Sequence, residues 1–186
     1  MVVLSFVLSH GEREITNYPS GGRDIIAFGD SLVEGVGSAN GGFVSLLGED
    51  VINLGVSGNT TGDALARINE LDNYNPKVVI VLLGGNDFLR KVPESETFAN
   101  LSKIIEDVQK RGAVVLLLGV RSGILSNRYD KEFGRLSEKF GTAYVSDVLD
   151  GVFGHPDLMY DTIHPNDRGY SLIASRVKPE LKKLIE

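Results

Sequence analysis

Apolar runs alternate with amphipathic segments along this chain, beginning at Asp24. Two of the runs, residues 78–83 and 114–118, are apolar at every position, which is typical of strands that are covered on both faces. Together with their neighbours, these runs predict five β-strands, at residues 24–28, 51–54, 77–83, 113–120 and 143–145.

The amphipathic segments predict helices between and after these strands. In residues 95–111, for example, Leu101, Ile104 and Val108 lie on one apolar stripe. The other predicted helices span residues 60–71, 129–140 and 166–185. Pro179 lies inside the last one, where it is expected to kink or break the helix. The alternation of strands and helices predicts a three-layer α/β/α fold around a mostly parallel five-stranded sheet.

The first 23 residues stand outside this alternation. Residues 2–9 and 12–18, around a turn at His10-Gly11, predict a short N-terminal β-hairpin. A secretory leader is the alternative, but no Lys or Arg precedes the apolar stretch and no small-x-small cleavage site follows it. We therefore expect an N-terminal extension at residues 1–23 and a single α/β domain at residues 24–186.

Composition and charge exclude several classes of protein. The net charge of -6 over 186 residues argues against a protein built to bind nucleic acid. The chain has no cysteine, which excludes disulfides, a thiolate nucleophile and cysteine metal sites. No apolar stretch approaches the roughly 18 residues that span a bilayer, so we expect no stable membrane insertion. The expectation is a soluble protein, either cytoplasmic or periplasmic.

Four short motifs carry the candidate chemistry, and three of them follow predicted strands. They are Gly29-Asp30-Ser31, Gly58 within Val56-Ser57-Gly58-Asn59, Gly84-Gly85-Asn86-Asp87, and Asp161-Thr162-Ile163-His164 just before the last helix. In open α/β sheets the ligand crevice lies outside the carboxyl ends of the strands. The motifs are therefore expected to meet at one edge of the sheet.

The residue types in these motifs are those needed for acyl transfer. Asp161 can hold one imidazole nitrogen of His164 and leave the other free as a base toward Ser31. The Ser31 and Gly58 backbone N–H groups and the Asn86 amide can donate to an oxyanion. Each motif has a plainer interpretation as well, because serine caps helices, Asp-x-x-His-Pro can start a helix, and Gly and Asn are common in turns.

Other types of site are poorly supported. The chain has three histidines and no adjacent carboxylate cluster, so a zinc or two-metal site is not expected. No G-x-x-x-x-G-K or G-x-G-x-x-G string follows the first strand, which argues against a nucleotide phosphate cradle.

The four motifs together resemble those of the GDSL, or SGNH, hydrolases. Phe28-Gly29-Asp30-Ser31-Leu32 looks like the first motif of that family, Gly58 like the second, Gly84-Gly85-Asn86-Asp87 like the third and Asp161-Thr162-Ile163-His164 like the fifth. The likeness extends from about Asp24 to the C-terminus and is greatest to small bacterial arylesterases, acyl-CoA thioesterases and lysophospholipases.

The resemblance implies a flavodoxin-like fold and a serine hydrolase without metal or organic cofactor. It implies a catalytic triad of Ser31, Asp161 and His164, with Ser31, Gly58 and Asn86 forming the oxyanion hole. The expected substrate is a small acyl ester or thioester of short to medium chain length. The candidate substrate-binding residues are Asp30, Phe88, Leu89, Val120, Ile124 and Ile163, with Phe153 nearby.

Three alternatives stay open from the sequence. The first is a carbohydrate O-acetylesterase of the same family, with a smaller and more polar pocket. The second is a non-catalytic binding module that keeps the fold, and the third is a flavin or nucleotide binder, because a fold alone does not fix a function. The oligomeric state is not indicated by the sequence.

Overall fold

The computed structural model describes residues 14–48, 50–120 and 127–186, without the side chains of residues 127 and 128. Its centre is one sheet of five parallel strands in the order β2-β1-β3-β4-β5, which is the flavodoxin-like order. The strands are β1 (Asp24–Gly29), β2 (Val51–Gly55), β3 (Pro76–Leu82), β4 (Val114–Leu118) and β5 (Ala143–Val145). The predicted fold class and all five strands are confirmed, with strand ends within two residues of those expected.

Helices cover both faces of the sheet. They are α1 (Ser31–Glu34), α2 (Thr61–Ala66), α3 (Gly85–Leu89), α4 (Glu94–Lys110), α5 (Asn127–Phe140) and α6 (Asp167–Ile185). Among the described residues, short 3₁₀ helices lie at Val44–Leu46, Ile68–Asn73 and Pro156–Leu158. No helix of the described residues is long and apolar enough to cross a membrane.

The sheet separates two apolar core layers. Val78, Ile80 and Leu82 of β3 point into the layer beneath α6, and the alternate residues of the same strand point into the layer beneath α4 and α5. Each of these side chains is fully buried. A strand that must fill both layers is apolar at every position, which explains the uninterrupted run in the sequence.

The order of the strands creates a crevice at one edge of the sheet. β2 lies on one side of β1 and β3 on the other, so the connections after β1 and β3 leave in opposite directions. This reversal is the point where open α/β sheets bind their ligands. Ser31 follows β1 and Asn86 follows β3, so both are placed at this crevice.

Two of the predicted helices differ from the structure. The segment at residues 60–71 is divided into α2 and the 3₁₀ helix Ile68–Asn73, because Arg67 between them has non-helical backbone angles (φ -109°, ψ 14°). The last helix is neither broken nor ended at Pro179, since α6 continues from Asp167 to Ile185. The solvent-exposed position of Pro179 leaves its ring free of packing conflicts with the core.

The prediction of a second N-terminal strand is wrong for residues 14–18, the part of it that the structure describes. Residues 14–18 form a turn, with Asn17 at φ 68°, rather than a strand. The Asn17 amide donates to the backbone oxygens of Gln109 (2.8 Å) and Ala113 (3.0 Å), which ties this segment to the end of α4. The first predicted strand, residues 2–9, lies outside the described residues.

Candidate active site

Ser31 stands at the first position of α1, directly after β1. Asp30 is the N-cap, with its Oδ1 accepting a hydrogen bond from the Leu32 N–H at 3.0 Å. The capping interpretation of this motif therefore applies to Asp30 and leaves the Ser31 hydroxyl free for chemistry. The turn is tight, because a Cβ at Gly29 would lie 2.4 Å from the Leu82 carbonyl oxygen and from the Val33 side chain.

His164 joins Ser31 to Asp161. Its Nε2 lies 3.1 Å from Ser31 Oγ, and its Nδ1 lies 2.8 Å from Asp161 Oδ2. The hydrogen bond from the His164 ring, together with those from the His164 and Ile163 backbone N–H groups, lowers the pKa of Asp161 to about 2. The carboxylate is thus ionised at neutral pH and fixes the imidazole so that Nε2 faces the serine.

The segment before α6 is closed by its own hydrogen bonds. The Tyr160 N–H donates to the His164 carbonyl (2.8 Å), and the Asn166 N–H donates to the Leu158 carbonyl (2.9 Å). Asn166 also caps α6, with its Oδ1 accepting from the backbone N–H groups of Arg168 and Gly169. These bonds hold Asp161 and His164 in one rigid loop beside the carboxyl edge of the sheet.

The three candidate oxyanion donors follow β1, β2 and β3: Ser31 begins α1, Gly58 lies in a turn, and Asn86 is in the first turn of α3. Among the described residues, neither the Ser31 N–H nor the Gly58 N–H has a hydrogen-bond acceptor. Gly58 has φ 79°, a conformation that favours glycine. The Asn86 amide nitrogen donates to the Asn59 carbonyl at 3.0 Å, and its distance to Asp30 Oδ2 is 3.4 Å. The contact with Asp30 is long for a hydrogen bond, so the second amide hydrogen is only weakly engaged.

Asp30 is a buried acid at the base of this group. Burial raises the pKa of its carboxyl to about 7, against the hydrogen bond from Leu32, which lowers it. The carboxyl supports two parts of the site, because Oδ1 caps α1 and Oδ2 faces the Asn86 amide.

An apolar cleft opens beside Ser31. Its volume is about 680 Å³ including the open mouth. Six of the residues expected to lie there do line it or stand at its edge: Asp30, Phe88, Leu89, Val120, Phe153 and Ile163. Ile124 lies outside the described residues.

Sequence reasoning missed two residues of the cleft wall, Tyr129 and Leu149. Tyr129 packs edge-to-face against Phe88 (5.9 Å between ring centroids) and Phe98 (5.4 Å). Burial raises the pKa of its hydroxyl. Tyr129 could have been found from the sequence, because it is an aromatic residue with a polar hydroxyl at the start of a predicted helix. No feature of the sequence indicates that Leu149 lines the cleft.

Within the described residues, no group of three or more His, Asp or Glu side chains is arranged to hold a metal ion. The groups assembled at the crevice are instead a hydroxyl, an imidazole, a carboxylate and hydrogen-bond donors. This arrangement can deprotonate the serine and stabilise a negative oxygen beside it.

Known proteins share this sequence pattern and fold. The profile of the GDSL-like lipase/acylhydrolase family matches residues 27–172. The chain is 31% identical over 175 residues to thioesterase 1/protease 1/lysophospholipase L1 of Escherichia coli, covering 87% of this chain and 84% of that protein. It is 34% identical over 148 residues to an arylesterase of Vibrio mimicus, covering 73% and 72% of the two chains.

A solved structure agrees with this likeness. The psychrotrophic esterase EstA from Pseudoalteromonas sp., in a structure inhibited by monoethylphosphonate, superposes with a TM-score of 0.76 at 30% identity. The superposition covers 87% of this chain and 98% of that one.

Proposed function

Because this chain belongs to the GDSL-like lipase/acylhydrolase family, we propose that Ser31, His164 and Asp161 are its catalytic triad. The protein is an ester hydrolase of the serine esterase and thioesterase kind. The observation that carries the assignment of residues is the continuous chain of contacts from Asp161 through His164 to Ser31 Oγ. We place the catalytic domain at residues 24–186, with residues 1–23 as an extension.

In the first step, Ser31 Oγ attacks the carbonyl carbon of the ester or thioester. Neutral His164 accepts the hydroxyl proton on Nε2, and the Asp161 carboxylate stabilises the imidazolium that forms. The bond to the leaving oxygen or sulfur then breaks, and the leaving group takes the proton from Nε2. The product of this half-reaction is an acyl ester on Ser31 and a free alcohol or thiol.

The negative oxygen of each tetrahedral intermediate is stabilised by three donors. These are the Ser31 and Gly58 backbone N–H groups and the second hydrogen of the Asn86 amide. The Ser31 and Gly58 N–H groups have no acceptor among the described residues, so an oxyanion does not have to displace an existing hydrogen bond to reach them. Donors already in place cost no reorganisation when the charge develops.

In the second step, water replaces the leaving group. His164 takes a proton from the water as it attacks the acyl carbon, and then returns that proton to Ser31 Oγ as the acyl bond breaks. The carboxylic acid is released and the free enzyme is restored.

The cleft favours short- to medium-chain acyl groups as substrates. Phe88, Leu89, Leu149, Phe153 and Ile163 give it an apolar lining beside Ser31. Burying the methylene groups of an acyl chain against such a wall is favourable by about 0.8 kcal/mol for each group that leaves water.

The test is hydrolysis of p-nitrophenyl esters from acetate to dodecanoate, with Ser31→Ala alongside. We expect the wild type to prefer butanoate to octanoate, and Ser31→Ala to lose at least about 1,000-fold in kcat. Ser175→Ala, an exposed serine on α6, is the matched control and should keep full activity.

Full activity in folded Ser31→Ala would reject the triad. Wild-type activity confined to acetyl groups on sugars would reject the proposed acyl preference and favour the carbohydrate O-acetylesterase alternative.

A further inference from the structure

Arg67 lies where α2 gives way to the 3₁₀ helix Ile68–Asn73, and its side chain turns inward. Only 14% of that side chain is exposed. Its guanidinium carbon stands 4.3 Å from the centre of the Phe28 ring, so the charged plane stacks on an aromatic residue of β1. A charge in this position has to be matched by hydrogen bonds.

Two of those hydrogen bonds go to the carboxyl ends of neighbouring strands. Nη2 donates to the carbonyl of Gly29, the last residue of β1, at 2.9 Å and to the carbonyl of Leu54 in β2 at 3.0 Å. Ser31 follows Gly29 by two residues, and the Gly58 turn begins immediately after β2. Arg67 Nη2 thus fixes the backbone just before Ser31 and just before the turn that contains Gly58.

A third hydrogen bond reaches the turn itself. Arg67 Nε donates to Asn59 Oδ1 at 2.7 Å, and the Asn59 carbonyl in turn accepts the hydrogen bond from the Asn86 amide at 3.0 Å. Asn59 therefore links the two residues. Its side chain accepts a hydrogen bond from Arg67, and its backbone carbonyl accepts one from Asn86. The remaining nitrogen, Nη1, pairs with Glu70 at 3.0 Å.

We propose that Arg67 is a positioning residue for the oxyanion hole. One rigid guanidinium links the strand ends and the turn that carry Ser31, Gly58 and Asn86, and so fixes the spacing of the three donors. Lysine cannot replace it, because an ammonium group lacks the planar fork that reaches all these acceptors at once. This inference rests on the proposed function, since it presupposes that these three groups form the oxyanion hole.

The test compares Arg67→Lys and Arg67→Gln with wild type, measuring kcat, KM and the melting temperature. We expect kcat to fall roughly 10- to 100-fold, with KM changed less than about threefold and the shape of the pH profile unchanged. Arg111→Lys is the matched control, because Arg111 also donates to two side chains and a backbone carbonyl but lies at the end of α4. It should leave kcat unchanged.

A double-mutant cycle separates positioning from general destabilisation. If Arg67 acts through the oxyanion hole, Arg67→Lys should lower kcat by a smaller factor in the Asn86→Ala background than in the wild type, because one of the three donors that it positions is already absent. Should an Arg67 variant fail to fold, Asn59→Ala removes only the side-chain acceptor and is expected to lower kcat roughly 5- to 20-fold, again less in the Asn86→Ala background.

Unchanged kcat in a folded Arg67 variant would overturn the proposal, as would a loss that multiplies in full with that of Asn86→Ala. Unchanged kcat in Asn59→Ala would overturn it where the Arg67 variants do not fold. Failure of the proposed function looks different, because then Ser31→Ala or Asn86→Ala would itself retain wild-type activity.

Discussion

The stability of the fold depends on whether the Asp30 carboxyl, at the base of the candidate site, is protonated. Its carboxyl has a pKa of 3.8 when unperturbed, and burial raises that pKa to about 7 in the folded protein. Between these two values the folded state binds more protons at this group than the unfolded state does. The contribution of Asp30 to stability is therefore fully present below about pH 4 and is lost as the pH rises toward and through 7.

This titration gives a prediction for Asp30→Asn, which keeps an oxygen to cap α1 but cannot ionise. From pH 5 to 8 the free energy of unfolding should fall more steeply in the wild type than in the variant, by a difference of a few kcal/mol. Urea denaturation at several pH values measures it. Asp150→Asn, an exposed aspartate, is the control and should run parallel to the wild type; a parallel curve for Asp30→Asn as well would contradict the burial effect.

At the scale of residues, the sequence was informative where neighbours along the chain act together. Asp161 and His164 are three residues apart, so a single turn brings them into contact, and their pairing could be predicted without the rest of the fold. Ser31 required one further step, the convergence of strand ends. Tyr129 and Arg67 were missed, because their roles depend on contacts with distant strands and loops that no local pattern encodes.

At the scale of elements, α6 continues through a proline. Pro179 has no backbone N–H, so the carbonyl of Ser175 one turn earlier lacks the usual intrahelical donor. Two buried residues of the same helix, Val177 and Leu181, pack into the core on either side of it. Tertiary packing of the apolar face therefore outweighs the local preference of proline to end the helix.

Pro179→Ala should stabilise the protein, because alanine restores the missing hydrogen bond and removes the clash of the ring with the preceding turn. The expected gain in free energy of unfolding is about 1–3 kcal/mol, measured by urea denaturation. Ser171→Ala, at another exposed position of α6, serves as the comparison for a simple change in helix propensity. A lower stability of Pro179→Ala would show that the helix is bent to suit the proline.

The central strands β3 and β4 could be predicted because each contains an uninterrupted apolar run that is bounded by polar or glycine residues. The single helix expected at residues 60–71 could not be divided correctly. Its apolar positions continue with helical spacing, while the actual break at Arg67 follows from hydrogen bonds to the ends of β1 and β2. The N-terminal hairpin failed in its described part for a similar reason, since Asn17 is held by α4 and β4 neighbours.

At the scale of the whole molecule, the sheet is stabilised from both faces. Ile173 of α6 packs in one core layer and Ile104 of α4 in the other, and both are fully buried. The layers are separated by the sheet, so the two side chains share no cavity. Each layer contributes to one cooperative structure rather than to an independent subdomain.

Ile173→Ala and Ile104→Ala should each lower the free energy of unfolding by about 2–5 kcal/mol, because each leaves a cavity in a packed layer. Their effects should add in the double variant, provided it still folds, with one transition and an unchanged denaturant slope. Urea denaturation followed by circular dichroism and by intrinsic tyrosine fluorescence measures both. Two separate transitions would contradict a single cooperative unit.

The loop that carries Asp161 and His164 has a consequence for how activity is lost on heating. Its internal hydrogen bonds keep the acid–base pair intact when the segment moves as a whole. Ser31 lies 133 residues away in sequence, so any such movement changes one distance above all, that between Ser31 Oγ and His164 Nε2. Turnover therefore reports the alignment of this loop with the serine. Mild warming that loosens this alignment should stop catalysis reversibly, while the circular dichroism of the sheet and helices stays unchanged.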